Sequence, residues 1–280
     1  AEMFEVDTGE TVFSQGVEFG LIGQFSLDMP QKSLKVTAKA RYGSKYINGH
    51  LFPDRDYDQY RAFVLRNSGN DCVWTRMVDG VQSRLADQLG TAVIHQAWRP
   101  VIVYINGQYW GHYNLREKAN KDSLAQWAGV TDPAAIRACD ILERTGTLDS
   151  NVLHGSNQDW VELMNFVKSH DLNNPSNLQY VTDRLDVDSL FHYVIFNMIG
   201  NYDVTNVRMY RFPGGKWTFF LHDIEAGCMS FDESPVDIFL RGKNAKAAGF
   251  PHWVLAALLE VPEYKDYFLR RTAEIIESNF

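Results

Sequence analysis

The run VIVYINGQYWGHYNL, residues 101–115, restricts the fold more than any other stretch. Strand-forming residues flank Asn106-Gly107, and an Asn-Gly pair supplies the positive-φ positions that a two-residue hairpin turn requires. An antiparallel hairpin is therefore expected here, with Gly111 permitting close packing beside it. LKVTAKARY (34–42) alternates with period two and predicts a half-buried strand, and RAFVLR (61–66) predicts a second. After NSGND, the residues Trp74, Met77, Val81, Leu85 and Leu89 recur at steps of three and four. They predict a helix over 73–89, closed by Gly90.

The second half reads as more helical. Residues 156–170 carry apolar side chains at 160, 163, 164 and 167, and 186–200 place Leu190, Val194 and Met198 on one face. Strands are expected at 207–212 and 216–222 around a PGG turn, then helices to the end, with Pro251 and Pro262 in their first turns. At 280 residues, 45% hydrophobic and 22% charged, the chain suits one large or two-lobed globular domain. The net charge of −8 argues against a nucleic-acid binder, which would show a basic face. No apolar stretch approaches the 18 or so residues of a membrane span. Cys72, Cys139 and Cys228 show neither metal spacing nor a disulfide framework. The start at Ala1 suggests a mature or trimmed form. Aromatic residues at 13% fit either a large aromatic core or a surface that stacks on sugars or bases.

Within NYDVTNVRMYRFPGGKWTFFLHDIEAG, residues 201–227, Asp203 and Asp223 stand at the two mouths of the expected hairpin. A hairpin returns the chain to its starting end, so Asp203, Asn206 and Asp223 are expected to converge. Hard oxygen donors of this kind suit a phosphate-bound Mg²⁺. Glu225 is either a further ligand or a salt-bridge partner. The element order is the one protein-kinase-like phosphotransferases use: strands, a helix, a hairpin, helices, an Asp/Asn loop, a hairpin and another Asp. Asp and Asn are also favoured in any turn. HRD, DFG and G-x-G-x-x-G are absent, and Gly16, Gly20 and Gly23 have the wrong spacing for a glycine-rich phosphate loop.

Several segments resemble the spore coat protein H (CotH) kinase-like family. VYINGQYWGHYNLREK is similar to its L-N-G-x-Y-x-G-x-Y-x-L-x-E signature. MPQKSLKV resembles its P-K-K-S segment, and FVLRNSGND its L-R-N-x-x-x-D stretch. GNYDVTNVRMYR resembles its catalytic-loop segment, and FFLHDIEAG its W-D-x-D metal segment. The resemblance implies an α+β, atypical kinase-like fold with a strand-rich lobe near 1–115, a mainly helical lobe near 120–280, and a site in the cleft between them. It implies an ATP- and Mg²⁺- or Mn²⁺-dependent kinase of secreted or surface proteins, outside the cell or on a cell or spore surface. Asp203 falls on the catalytic Asp, and Asn206, Asp223 and Glu225 on metal positions. Lys32, Arg66 and Glu117 are the candidates for the nucleotide side, Lys35 is a rival to Lys32, and Glu117 would face the nucleotide or pair with a basic residue. His222 replaces the tryptophan of W-D-x-D, Glu225 its second Asp, and the gap from Asp203 to Asn206 is shorter than in ordinary kinases. A degenerate kinase fold serving as a binding module of a spore coat or a polysaccharide-degrading complex stays open. So does a glycosidase using Asp203 and Asp223.

Overall fold

The computed structural model describes residues 1–144, 151–200, 206–225 and 250–278. The fold is α+β, with antiparallel sheets and helices. Two compact units form, one from Ala1–Val81 and Gln96–Thr131, the other from Gln82–His95 and Asp132–Phe280. Residues 82–95 thus pack with the second unit, although they precede the 115–120 connection at which the sequence suggested a division.

In the first unit, β1 (Glu2–Phe4) pairs with β2 (Thr11–Ser14). Strands β3 (Glu18–Leu21) and β4 (Leu34–Thr37) begin the main sheet, and β5 (Ile47–Asn48) with β6 (Gln59–Tyr60) makes a small ladder. Strands β7 (Ala62–Arg66), β8 (Trp98–Ile105) and β9 (Gln108–Glu117) complete the main sheet in the order β3-β4-β7-β9-β8, antiparallel throughout. The Asn106-Gly107 turn is present, with φ of 51° and 77°. β4 ends at Thr37 rather than Tyr42, because a 3₁₀ turn over Ala40–Tyr42 takes over the chain. One face of the sheet buries Val36, Phe63, Leu65, Tyr113 and Leu115 in a core with Phe13, Ile47, Leu51 and Phe52.

Helix α1 (Val78–Gln88) starts five residues later than expected. The buried Asp71 carboxylate accepts from Thr75 N–H, Thr75 Oγ1 and Val78 N–H, holding a turn where a helix would otherwise begin. Arg76, at φ 62°, also leaves the right-handed helical region. The expected apolar face is corrected in its first half: Trp74, Met77 and Val81 are exposed, while Leu85 and Leu89 are partly buried against the core of the second unit and Asp79, Gly80, Ser83 and Ala86 are buried. Small residues on the inner face let the helix lie against Trp98, whose ring a Cβ on Gly80 would meet at 2.3 Å. The unit ends with α2 (Lys121–Trp127), which opens on a capping box formed by Asn120 and Ser123.

The second unit contains α3 (Pro133–Arg137), β10 (Asp140–Glu143), β11 (Asn151–His154), α4 (Gln158–Ser169), α5 (Pro175–Thr182) and α6 (Val187–Gly200). It continues with β12 (Arg208–Arg211), β13 (Thr218–Phe220), α7 (His252–Leu259) and α8 (Pro262–Glu277). The expected hairpin is β12–β13, and it joins a four-stranded sheet in the order β11-β10-β12-β13. Helix α4 buries Trp160, Leu163, Met164 and Val167, the face that the sequence indicated. Helix α6 is buried nearly all round from Ser189 to Asn197 rather than along one stripe, so it is the core helix of this unit. Pro262 occupies the first turn of α8, whereas Pro251 stands one place before α7 as its cap.

Two consequences can be measured. Gly80→Ala gains about 1 kcal/mol of helix propensity but forces a methyl into the Trp98 ring, an overpacking cost of about 1–3 kcal/mol. The variant is expected to melt at a lower temperature than the parent, and an unchanged or higher midpoint would reject the packing account. The second concerns His192 on α6. The Ala92 N–H lies 3.1 Å from its Nδ1, and Arg271 Nε lies 2.9 Å from its Nε2. Burial and, secondarily, the Arg271 charge hold its pKa down at about 4. The unfolded chain takes up this proton near 6.5, so stability is insensitive to the group above that pH and falls as pH drops from 6.5 towards 4. Unfolding midpoints of the parent and of His192→Gln should converge in that window; parallel curves would remove His192 as the cause.

Candidate functional site

The ladder of β12 and β13 pairs Arg208 with Phe220 and Tyr210 with Thr218. Continued two residues outward, this register sets Asn206 opposite His222, one step from Asp223. The side chains meet there: Asn206 Nδ2 donates to Asp223 Oδ2 at 3.0 Å. Asp223 is left-handed, with φ 60°. Asp tolerates that conformation better than most residues, yet it remains strained, and strain of this kind gathers at functional sites. Asp223 and His222 are half-buried and Glu225 is buried. The arrangement offers oxygen donors from two side chains at one point, with a buried carboxylate two residues further along. Such donors suit a hard divalent cation. Among the described residues, no three His, Cys, Asp or Glu side chains gather into a metal-binding group. Asp203 lies outside the described residues.

In the first unit, the three segments singled out in its sequence are tied together. Ser33 Oγ donates to Asn67 Oδ1 at 2.8 Å, and Asn67 Nδ2 donates to the Gln31 carbonyl at 2.7 Å. Gln31 Nε2 donates to the His112 carbonyl at 2.8 Å, and Arg76 Nη1 donates to Gln31 Oε1 at 2.9 Å. Asn114 Nδ2 reaches Ser68 Oγ at 2.7 Å and the Arg76 carbonyl at 2.6 Å. Gly111, at φ 136°, leaves room for Gln31, whose Nε2 would stand 2.7 Å from a Cβ there. Gln31, Asn67, Asp71 and Arg76 were not recognised as a set from the sequence. The signal for Gln31, Asn67 and Asp71 was only their position inside those segments, and Arg76 lies outside them.

Lys32 lies just ahead of β4; its ammonium donates to the Leu27 carbonyl, and its own carbonyl accepts from Tyr113 Oη at 3.0 Å. Arg66 ends β7, half-buried and opposite Asn114. Glu117 pairs with a basic residue: its Oε2 accepts from Arg55 Nη2 at 2.8 Å, Arg55 Nε at 3.1 Å and the Ala97 N–H at 2.7 Å. Its Oε1 accepts from Tyr57 Oη and, at 3.2 Å, from Trp127 Nε1. Burial first, then the Glu117 charge, pushes the Tyr57 phenol well above its ordinary range. Glu117 therefore organises the scaffold, joining β9, the Arg55–Tyr57 loop and α2.

A family model described as CotH kinase protein matches residues 21–280, nearly the whole chain. No curated protein matches it.

The Glu117 assignment is testable by stability alone. Glu117→Gln leaves Arg55 without its charged partner in a site where Glu117 itself is 1% exposed. Breaking such a buried pair costs about 3–5 kcal/mol. A urea midpoint unchanged from the parent would show that the pair holds nothing together.

Proposed function

The chain belongs to the CotH kinase family, and from that premise we propose an ATP- and divalent-metal-dependent phosphotransferase acting on a hydroxyl of a secreted or surface protein. The proposal includes a two-lobed, kinase-like arrangement and a location outside the cell or on its surface. The observation that carries it is the meeting of Asn206 and Asp223 at the open end of β12–β13, within hydrogen-bond distance of each other. Asp223 and Asn206 would hold Mg²⁺ or Mn²⁺, with Glu225 as a further carboxylate. A bound metal of this kind supplies positive charge to the β- and γ-phosphates. Asp203 would accept the proton of the acceptor hydroxyl as its oxygen bonds to the γ-phosphorus and the bond to ADP breaks. On the nucleotide side, Arg66 and Lys32 stand as basic candidates, while the carboxylate of Glu117 is committed to Arg55.

His222 and Glu225, which replace the tryptophan and second aspartate of the metal segment, favour a second reading. In it, the same site binds nucleotide but serves a binding module without turnover. Among the described residues no helix is long and apolar enough to cross a membrane.

Two variants and the parent decide between the readings. Asp223→Asn keeps an amide that tolerates the left-handed backbone and can still meet Asn206, so its melting temperature should match the parent. Its Mg²⁺-dependent ATP affinity should fall at least tenfold, about 1.4 kcal/mol. Asp203→Asn should keep ATP affinity and lose label transfer from ATP to protein. Unchanged Mg²⁺-ATP affinity in Asp223→Asn would reject the metal site. Metal-dependent ATP binding by the parent without transfer to any surface-protein candidate would favour the binding module.

A further inference from the structure

Residues 100–115 carry no Asp, Glu, Lys or Arg, in a chain that is 22% charged overall. This run makes most of β8 and β9, and its outer part extends beyond the sheet. β7 pairs with β9 only from Asn114 to Glu117, whereas β8 and β9 stay paired out to Ile105 and Gln108. β8 is the edge strand, so past Pro100 and Asn114 the two strands run on as a ribbon with no third strand among the described residues. A two-stranded ribbon buries little by itself. This one exposes its largest side chains: Ile102 at 58%, Tyr104 at 62%, Tyr109 at 64% and Trp110 at 52%.

Local geometry sets these rings in place. Tyr104 stands directly opposite Tyr109, with ring centroids 5.9 Å apart and the rings edge to face at 73°. Val103 pairs with Gly111 and Tyr104 with Tyr109, so Trp110 is the extra residue of a bulge. A bulge re-aims the side chain it carries. At the tip, Asn106 and Gln108 are exposed on either side of Gly107, and their amides make no hydrogen bond among the described residues.

The absence of charge narrows what this surface can hold. A nucleic acid or an anionic membrane needs Lys or Arg at the contact, and a basic peptide needs Asp or Glu. Tyr and Trp join a broad apolar face to a polar tip, which suits a ligand that is apolar on its faces and polar round its rim. A pyranose ring has that anatomy, with C–H groups on its faces and neutral hydroxyls at its edge. The amides of Asn106 and Gln108 both donate and accept, as such hydroxyls do. We propose that the outer β8–β9 ribbon is a binding platform for an uncharged polysaccharide. Tyr104, Tyr109 and Trp110 stack on its sugar rings, and Asn106 and Gln108 bond to its hydroxyls. The platform does not depend on the phosphotransfer reading, because all of its residues belong to the first unit.

The test is native electrophoresis of the full chain through gels containing hydroxyethyl cellulose, galactomannan or soluble starch. At least one of these neutral polymers should retard the parent. Tyr109→Ala and Trp110→Ala should each weaken the retardation at least about fivefold, and the double variant should abolish it. Tyr109→Phe keeps the ring and should stay within about twofold of the parent. Trp74→Ala removes a ring that is 73% exposed elsewhere on the first unit, and it should match the parent. Trp110→Ala should still unfold cooperatively, which separates lost binding from lost folding. Asp223→Asn should be retarded as the parent is, so polysaccharide binding by a chain that takes up no ATP sinks only the nucleotide reading. No retardation of the parent in any of the three gels overturns the proposal, as does parent-like retardation of the double variant or an equal loss in Trp74→Ala. A concentration-dependent dimer in sedimentation velocity that Trp110→Ala abolishes would give the surface to a second copy of the chain, and that too overturns it.

Discussion

Glu117 is the residue on which the first unit turns. Its carboxylate is 1% exposed and accepts from Arg55, Tyr57, Ala97 and Trp127, which come from three separate parts of the chain. A buried carboxylate is tolerable only when its oxygens are satisfied and its charge is matched. The end of β9, the loop before β6, the residue ahead of β8 and helix α2 must therefore all arrive at one place. Once β9 is fixed, its register with β7 sets Arg66 opposite Asn114, and β7 in turn sets Lys35 opposite Val64. The positions of the basic side chains follow from that one satisfied charge.

In the second unit an antiparallel register plays the corresponding part. Two residues seventeen apart in sequence, Asn206 and Asp223, come within 3.0 Å because the chain turns back between them and each strand keeps step with its neighbour. The hairpin is not left alone, as an isolated two-stranded ribbon would be marginal in water. β10 pairs along β12 from Asp140 to Glu143, and Arg208 and Arg211 are held by the carboxylates of Glu143 and Asp140. Phe219, on β13, donates its N–H to Ser189 Oγ of α6, which fastens the ribbon to the core helix.

Elements whose determinants are local were legible in the sequence. The Asn106-Gly107 hairpin, the β12–β13 hairpin and the buried face of α4 each follow from a turn signal or a period that lies within fifteen residues. What was illegible depended on partners distant in sequence. Trp74, Met77 and Val81 have helical spacing, yet they face solvent, because Asp71 captures the turn before α1 and Trp98 demands a glycine on its inner face. Short strands such as β3, β10 and β11 carry too few residues for a period to declare itself. The site shows the same division. Asn206 and Asp223 were visible as a pair because one hairpin joins them. Pairing of Glu117 with a basic residue was one of two alternatives, but that the partner is Arg55 was not visible, since 62 residues separate the two.

The chain carries 35 acidic and 27 basic residues, and on that count alone a polyanion should be repelled. Net charge, however, acts at a distance, and exposed charges further apart than about 8 Å are largely screened at physiological ionic strength. A charged group on the surface responds first to the groups within that radius. Lys35 and Arg66 lie diagonally across neighbouring strands, a separation of about 7–8 Å between such positions. On the same face Arg116 is already matched by the Asp79 carboxylate at 2.8 Å. At the open end of β12–β13 the Asp223 carboxylate meets the amide of Asn206 at 3.0 Å. Which charges stand together is thus decided by strand register, as for Arg208 beside Glu143 and Arg211 beside Asp140, and the overall composition does not reveal it.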